Sequence, residues 1–377
     1  MLTPEKLLTE LIALPSVNPA FMPDAPDWTG EQRVAGFLAH WADRAGLEIS
    51  FQEVFPGRHN VIARLTPAGG RPKKRIILAP HMDTVSVSDE SFFKPKKSRG
   101  RLHGRGACDT KGSVAAMFST LLELASKGPR PAKTEIVFLG LVDEEDGQNG
   151  SWTFSRSRQK ADLAIVGEPT MNQLITAHKG DLWLRLTTKG KAAHGARPEL
   201  GSNAIHTLAK AIELVEGRYA RSLRKSKHPL LGHGTVNTGL VQGGKQANIV
   251  PDHCECVIDR RTLPGETERG ICRDLNELFR SKDLKVAITN DKDNPCPALE
   301  TNPKLPLVQD LMQILKQKKP LGVDYFCDAS PLAQGGIPSV VFGPGDIAQA
   351  HTENEWISIK SLNLAAAQLK QFLTRLP

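Results

Sequence analysis

The chain has 377 residues, of which 40% are hydrophobic and 24% are charged, and it carries a formal net charge of +8. These proportions are typical of a soluble globular protein, and the length predicts two domains rather than one core. The sequence contains neither an apolar run long enough to cross a bilayer nor a secretory signal at its start, so we expect a cytoplasmic protein.

The cysteine and charge patterns argue against two further classes of protein. Six cysteines are present, and no two are spaced as a CxxC pair. A structural zinc–thiolate site is therefore not favoured, and without a secretory signal we expect free thiols. Lysine and arginine are spread along the chain, so we expect a solvated basic surface and no nucleic-acid partner. Such a surface is compatible with small anionic substrates.

Apolar periodicity predicts the elements of the first part of the chain. Two amphipathic helices come first, at 2–14 and 31–45. Three strands follow, at 48–54, 60–65 and 75–79.

The strand at 75–79 is a short apolar run that Pro80 ends, because proline has no N–H group to donate to a strand ladder. His81 and Asp83 follow at its carboxyl end, which is where ligands bind in open α/β sheets. Two residues apart on an extended chain, their side chains point the same way. Taken alone, the pair is either a metal ligand with its orienting carboxylate or the cap of a loop.

A polar and irregular stretch is predicted at 90–105. It leads into a glycine-rich turn at 104–112, which opens a long helix at 113–127. The glycine spacing fits neither a Walker loop nor a dinucleotide-binding fingerprint, so a phosphate site is not favoured.

Two more predicted strands end in acidic residues. The strand at 134–141 is followed by four acids at 143–146, and the strand at 163–167 is followed by Glu168. Consecutive acids that are buried need cations to neutralise them, whereas a solvated acidic turn does not. Both interpretations remain open for the acidic turn alone.

After residue 180 the pattern changes to the β-α-β-β-α-β order of the split-βαβ, ferredoxin-like module. Its predicted elements lie at 181–188, 202–218, 236–241, 253–258, 267–280 and 284–289. The last part of the chain is predicted to form a helix at 307–317, strands at 323–327 and 339–342, and a closing helix at 359–373. The predicted fold class is therefore α/β. A mixed central sheet flanked by helices is formed by 1–180 and 292–377, and an inserted α+β domain by 181–291.

The predicted strand ends and loops bring two histidines and several carboxylates to one sheet edge. These residues are His81, Asp83, Asp109, Glu144, Glu145, Glu168 and His351. Imidazole and carboxylate without thiolate suit a hydrolytic zinc, cobalt or manganese site. In a two-metal site, one carboxylate would bridge the ions and a spare one would act as base.

Several segments resemble the dinuclear-zinc acyl-amino-acid deacylase and carboxypeptidase family, to which acetylornithine deacetylase, succinyl-diaminopimelate desuccinylase, aminoacylase and glutamate carboxypeptidase belong. In the family's order they are PHMDTV at 80–85, GRGACDTKG at 104–112, DEE at 143–145, GEPT at 167–170 and QAH at 349–351. The resemblance implies a zinc-peptidase-like catalytic domain that holds two zinc ions, with cobalt or manganese as alternatives.

The resemblance also implies the metal ligands. His81 and Glu168 would bind one ion, and Glu145 and His351 would bind the other. Asp109 would bridge both ions.

Two further carboxylates have implied roles in the reaction. Asp83 would hold the His81 ring, and Glu144 would be the general base that takes a proton from a metal-bridging water and passes it to the leaving amine. The peptide bond between Asp109 and Thr110 is often cis in the family.

The inserted domain carries further matches, AHGARPE at 193–199, GGKQANIVP at 243–251 and DRRTLPG at 259–265. The resemblance implies a homodimer in which this domain is a lid and the dimerisation element. His194 would reach the partner subunit's active site and stabilise the oxyanion there. Asn248 and Arg261 would grip the substrate's α-carboxylate, since a guanidinium pairs with a carboxylate bidentately. Gly195 stands where the family usually has serine.

We therefore expect a metal-dependent hydrolase that cleaves the amide bond of N-acyl amino acids by acetylornithine-deacetylase-like chemistry. Alternatives within the class are a succinyl-diaminopimelate desuccinylase and a glutamate-carboxypeptidase-like dipeptide hydrolase. Outside the class, the alternative is a catalytically silent homologue that binds amino acids or peptides. No membrane partner is expected.

Overall fold

The computed structural model describes residues 2–126 and 128–377. The described residues form ten α-helices and sixteen strands. The helices are α1 (Pro4–Ile12), α2 (Gln32–Arg44), α3 (Lys111–Ser126), α4 (Asn149–Arg156), α5 (Ala204–Leu214), α6 (Ala220–Leu223), α7 (Glu268–Arg280), α8 (Pro306–Ile314), α9 (Ala329–Gln334) and α10 (Ile359–Thr374). The strands are β1 (Glu48–Phe55), β2 (Arg58–Leu65), β3 (Lys74–Pro80), β4 (Lys96–Ser98), β5 (Arg101–His103), β6 (Thr134–Gly140), β7 (Leu163–Gly167), β8 (Ile175–His178), β9 (Gly180–Lys189), β10 (Thr235–Gly243), β11 (His253–Thr262), β12 (Ala287–Asn290), β13 (Leu299–Glu300), β14 (Leu321–Val323), β15 (Ser339–Val341) and β16 (Trp356–Ser358).

The chain divides into two compact units. The first consists of Met1–Thr176, Thr301–Leu321 and Cys327–Pro377, and the second of Ala177–Glu300 and Gly322–Phe326.

The first unit is built on a mixed sheet with the strand order β1-β2-β6-β3-β7-β15. Strand β3, predicted at 75–79, runs parallel to both of its neighbours, β6 and β7, and is a central strand of the sheet. Its residues Ile76–Ala79 are completely buried, as a strand covered on both faces requires. The carboxyl ends of β3, β6 and β7 therefore lie side by side at one edge of the sheet.

Helices pack against this sheet through apolar stripes. In α1 the buried side chains are Leu7, Leu8, Leu11 and Ile12, and the Thr3 hydroxyl caps the helix by accepting the N–H of Lys6. Helix α3 is buried along most of its length, because it contacts α1 and α10 as well as the sheet. The predicted end of this helix, Lys127, lies outside the described residues.

The second unit has the predicted β-α-β-β-α-β element order, as β9, α5, β10, β11, α7 and β12. Its antiparallel sheet has the order β10-β11-β9-β12, and β10 lies at an edge. Along β11 the side chains alternate. Cys254, Cys256 and Ile258 enter the core shared with α5 and α7, so the two cysteines are packing residues.

Other elements differ from the prediction. The stretch at 90–105 was predicted to be irregular, but it contains the hairpin β4–β5, which turns at Arg99 and Gly100 with positive φ. Strand β16 pairs with β5 from more than 250 residues away, and local pattern gives no sign of this pairing. The predicted strand at 323–327 is wrong, since the strand ends at Val323 and α9 follows. No described helix is both long and apolar enough to cross a membrane.

Candidate active site

Three neighbouring parallel strands position most of the predicted site. His81 and Asp83 follow β3, the acids at 143–145 follow β6, and Glu168 follows β7. The chain remains paired just past the strands, because the N–H of Met82 donates to the carbonyl of Leu141 at 2.8 Å. This pairing holds the segments after β3 and β6 together.

Asp109 lies between the two histidines of the site. Its Oδ1 is 3.2 Å from Nε2 of His81, and its Oδ2 is 3.3 Å from Nε2 of His351. Nε2 of His351 is also 3.0 Å from Oε2 of Glu145. On the other side, Nε2 of His81 is 3.9 Å from Oε1 of Glu168. The side chains thus form two groups that share Asp109.

Glu144, the candidate base, lies beside the group formed by His81, Glu168 and Asp109. Oε2 of Glu144 lies 4.0 Å from Nε2 of His81. Ligand atoms of His81, Asp109 and Glu145 lie within 4.8 Å of one another, a spacing suited to a metal ion. The peptide bond between Asp109 and Thr110 is cis, as the family resemblance implied.

Burial dominates the electrostatics of the carboxylates. It raises the pKa of Glu144 and of Glu168 well above the usual value, and it raises the pKa of Glu145 to about 7, with Asp109 adding to the effect. Burial also acts on Asp109, but hydrogen bonds with His351 and His81 outweigh it and lower the pKa of this carboxyl. Hydrogen bonds with Asp109 and Glu145 raise the pKa of His351 to about 10.

The residues of the cluster fit a cationic ligand. Four carboxylates face two imidazoles, and such a concentration of negative charge is costly without cations. Asp109 and Glu168 are buried, and Glu144 and Glu145 are partly buried. In addition, Oε1 of Glu145 is buried and has no hydrogen-bond partner among the described residues. The donor set of imidazole and carboxylate suits zinc, cobalt or manganese.

Asp83 lies behind His81 rather than in the cluster. Nδ1 of His81 is 3.1 Å from the backbone carbonyl of Asp83 and 3.4 Å from its Oδ1. This carboxylate is completely buried, and burial by itself would raise its pKa. The hydrogen bond and charge of His81, together with hydrogen bonds from Asn18 and the backbone of Glu145, outweigh burial and lower the pKa.

Sequence analysis missed the residues that support the site. Glu355 accepts the N–H groups of Cys108 and Asp109 with Oε1, at 2.7 and 3.0 Å, and that of Gly106 with Oε2, at 2.9 Å. It thereby shapes the turn that carries Asp109. A carboxylate four residues after His351 was the available signal. Asn18, Arg58 and Glu31 were missed too, and no local pattern marks them.

The other three predicted site residues lie in the second unit. His194 pairs with Ile249 in a β-bridge, and the N–H of Gly195 donates to the carbonyl of Asn248 at 2.7 Å, so the two predicted segments are neighbours. Arg261 is partly exposed. It donates from Nε and Nη2 to the carboxylate of Asp259, both at 2.9 Å.

Comparisons with known proteins show the family of the chain and solved structures of similar fold. The model of peptidase family M20/M25/M40 matches residues 77–375. An acetylornithine deacetylase of Pectobacterium carotovorum is 30% identical to the chain, over 98% of this chain and 96% of that protein. The crystal structure of a tripeptidase from Staphylococcus aureus is similar in fold, with a TM-score of 0.79 and 23% identity over 98% of this chain and 97% of that one. An M20 family metallo-carboxypeptidase from Sulfolobus solfataricus has a TM-score of 0.76 and 20% identity, over 99% of each chain.

Fold, site and relatives together define a metal-dependent enzyme that hydrolyses amide bonds. The chain belongs to peptidase family M20/M25/M40.

Proposed function

We propose that this enzyme uses two zinc ions to hydrolyse the amide bond of N-acyl amino acids, with acetylornithine-deacetylase-like chemistry. The observation that carries the proposal is the position of Asp109, whose two oxygens face His81 and His351. The relatives named acetylornithine deacetylase support the substrate class.

Five side chains would hold the ions. His81 and Glu168 would hold one, Glu145 and His351 the other, and Asp109 would touch both. Bound there, the ions would act as Lewis acids that polarise the scissile carbonyl and acidify the attacking water.

Glu144 would act as general base and then as general acid. Its carboxylate is 4.0 Å from His81, farther than the other acids of the cluster are from their nearest histidine. Burial raises its pKa, which suits a group that takes a proton from water and returns it to the leaving amine. Asp83 would hold the imidazole of His81 in the orientation that presents Nε2.

Arg261 and Asn248 would bind the α-carboxylate of the substrate. Asp259 engages Nε and Nη2 of Arg261, and Oδ1 of Asp181 lies 3.5 Å from Nε. No described residue accepts a hydrogen bond from Nη1, which would be the nitrogen that meets a substrate carboxylate. The net charge of +8 favours anionic substrates in general.

We further propose that the protein is a homodimer whose second unit is the lid and dimerisation element. The edge strand β10 exposes Leu240 and Val241 by 51% and 55%, and Ile205 and Ile249 in the same unit are each exposed by 38%. An apolar strand at the edge of a sheet is a site for pairing with another chain. In such a dimer His194 would stabilise the oxyanion in the partner's site.

The dimer is tested by complementation. His194→Ala and Glu144→Gln should each be nearly inactive, and mixed dimers should regain activity because one site then combines an intact Glu144 with an intact partner His194. Mixed dimers that stay inactive would contradict action in trans. Leu240→Lys should give a monomer in sedimentation, whereas Leu364→Lys, at an exposed leucine of the first unit, should not.

The six cysteines are all free and five of them are buried, which fits a reducing compartment. We therefore propose a cytoplasmic location. Zinc, rather than cobalt or manganese, is likewise a proposal, and metal analysis of the protein as purified from its host tests it.

The substrate class is tested with the purified protein loaded with zinc or cobalt. N-acetyl amino acids, N-succinyl amino acids and short peptides form the panel, and N-acetylornithine is compared with its α-carboxamide. We expect two metal ions per chain, hydrolysis of the N-acetyl compound, and weak activity on the carboxamide. A fully loaded enzyme that cleaves none of these amides would refute the proposal.

A peptidase is the second candidate, because a tripeptidase and a carboxypeptidase are among the solved structures that are similar in fold. It predicts a higher kcat/KM on peptides than on N-acetyl and N-succinyl amino acids in the same panel.

A further inference from the structure

Asp83 contacts two parts of the candidate site, the His81 ring and the acidic turn that carries Glu144 and Glu145. Its Oδ1 accepts the N–H of Glu144 and its Oδ2 the N–H of Glu145, both at 3.1 Å, while His81 lies on the same carboxylate. Oδ2 also accepts a hydrogen bond from Nδ2 of Asn18 at 2.8 Å. One completely buried carboxylate therefore fixes both an imidazole and the backbone of the acidic turn.

A second buried carboxylate, Asp143, holds the start of the same turn. Its backbone is in the left-handed region, with φ of 68°, and its N–H donates to Oε1 of Glu31 at 3.1 Å. Oδ1 accepts hydrogen bonds from Nδ2 of Asn18 at 3.1 Å and Nη2 of Arg58 at 3.0 Å. Arg58 in turn makes two hydrogen bonds to Glu31, at 2.8 and 2.6 Å. A left-handed aspartate persists where its surroundings hold it.

Asn18 connects the two carboxylates. Its Oδ1 accepts the N–H of Ala20 at 3.1 Å, which sets the orientation of the amide and turns Nδ2 toward Asp83 and Asp143. A neutral side chain with two donors is suited to this place, because an aspartate there would add a third negative charge. Asn18 and both carboxylates are at most 2% exposed, so water does not screen them.

We propose that Asn18 and Arg58 are positioning residues of the metal centre. Asn18 joins Asp143 to Asp83, and Arg58 ties Asp143 to Glu31, so that His81 and the turn carrying Glu144 and Glu145 keep one fixed relation. This inference rests on the proposed function. It states that the affinity and geometry of the metal site depend on two residues whose side chains do not contact the proposed metal ligands. Loss of such outer partners costs about 10–100-fold in metal affinity or activity.

The test uses Asn18→Ala, Asn18→Asp and Arg58→Met in the full chain. We expect each variant to bind cobalt about 10–100-fold more weakly than wild type and to change the visible spectrum of the cobalt-loaded protein. At saturating metal, kcat should fall while KM stays unchanged, since the residues act on the metal site and not on substrate binding. Arg58→Lys retains the charge but not the paired hydrogen bonds, and it should restore part of the affinity.

Arg64→Met is the matched control. Arg64 lies in the same strand as Arg58, but it contacts Ser50 and the exposed Glu48. Its replacement should leave cobalt affinity, spectrum and kcat unchanged.

The outcomes separate this inference from the proposed function. A wild-type protein that binds fewer than two metal ions and cleaves no amide of the panel removes the proposed function. If wild type does both, and folded Asn18 and Arg58 variants match it in cobalt affinity and spectrum, only the positioning role is overturned. Should Arg58→Met fail to fold, the uncharged Asn18→Ala decides alone, and a lower melting temperature with unchanged cobalt affinity would contradict the inference.

Discussion

Asp109 Oδ2 lies 3.3 Å from Nε2 of His351, across a sequence separation of more than 240 residues. Because its other oxygen faces His81, this one carboxylate belongs to both halves of the cluster. The first prediction follows from that sharing.

Asp109→Asn should reduce bound metal from two ions per chain to one or none, because both proposed metal positions lose the same negatively charged carboxylate. The loss of affinity should exceed the about 10–100-fold that an outer-shell substitution costs. Metal analysis after equilibrium dialysis measures it. Asp89→Asn, at an exposed aspartate that caps a surface turn, is the control, and two tightly bound ions in Asp109→Asn would contradict the bridging role.

Glu144→Gln should keep both metal ions and lose turnover by about 10²–10⁴-fold, since only proton transfer is removed. Steady-state kinetics together with metal analysis check both parts. Glu90→Gln makes the same change at an exposed glutamate and should be neutral. Turnover near that of wild type in Glu144→Gln would mean that another group is the base.

Gly195→Ser should raise KM, although serine is the residue that the family usually has at this position. A Cβ at Gly195 would lie 2.9–3.0 Å from the backbone of Asn248, so the segments of His194 and Asn248 would have to separate. We expect KM to rise by about tenfold, corresponding to about 1.4 kcal/mol of substrate binding. Gly217→Ser, where a Cβ meets only the end of Arg221 at 3.8 Å, is the matched control. Equal KM values for the two variants would show that the close approach has no effect on binding.

The free energy of unfolding should decrease as pH falls, because His178 is buried in its neutral form. This histidine is completely buried, and burial lowers its pKa to about 4, so the folded state stays neutral while the unfolded state takes up a proton below its ordinary pKa of 6.5. Stability is therefore lost as pH falls from 6.5 toward 4, by about 2 kcal/mol between pH 7 and 5.

His178→Asn should remove that part of the slope, because asparagine does not titrate and its Nδ2 can still donate to the carbonyl of Lys179 as Nδ1 of His178 does. Urea unfolding of both proteins at pH 7 and 5, each with chelator, measures the difference. His206→Asn, at an exposed histidine on α5, should keep the wild-type slope. An unchanged slope in His178→Asn would contradict the neutral buried state.

Much of the candidate site could be predicted from sequence, because its candidate residues follow strands whose apolar runs are short and clear. His81, Glu144, Glu145 and Glu168 each come within a few residues of a buried strand end. Asn18 and Arg58 could not be found in this way. Asn18 lies in a loop and Arg58 at the start of a half-buried strand, and each reaches its partners only through contacts between distant segments.

The same division holds for the fold. The spacing of apolar residues predicted β3, β6, β7 and most helices of the first unit, and the β-α-β-β-α-β order of the second. It could do so because each element buries its own apolar face, and that face is visible in the local sequence. Tertiary structure alone decided the pairing of β5 with β16, the left-handed turn at Asp143, and the convergence of His81 and His351 on Asp109. These features depend on contacts between residues far apart in the chain, and their energy is gained only when the whole unit has folded.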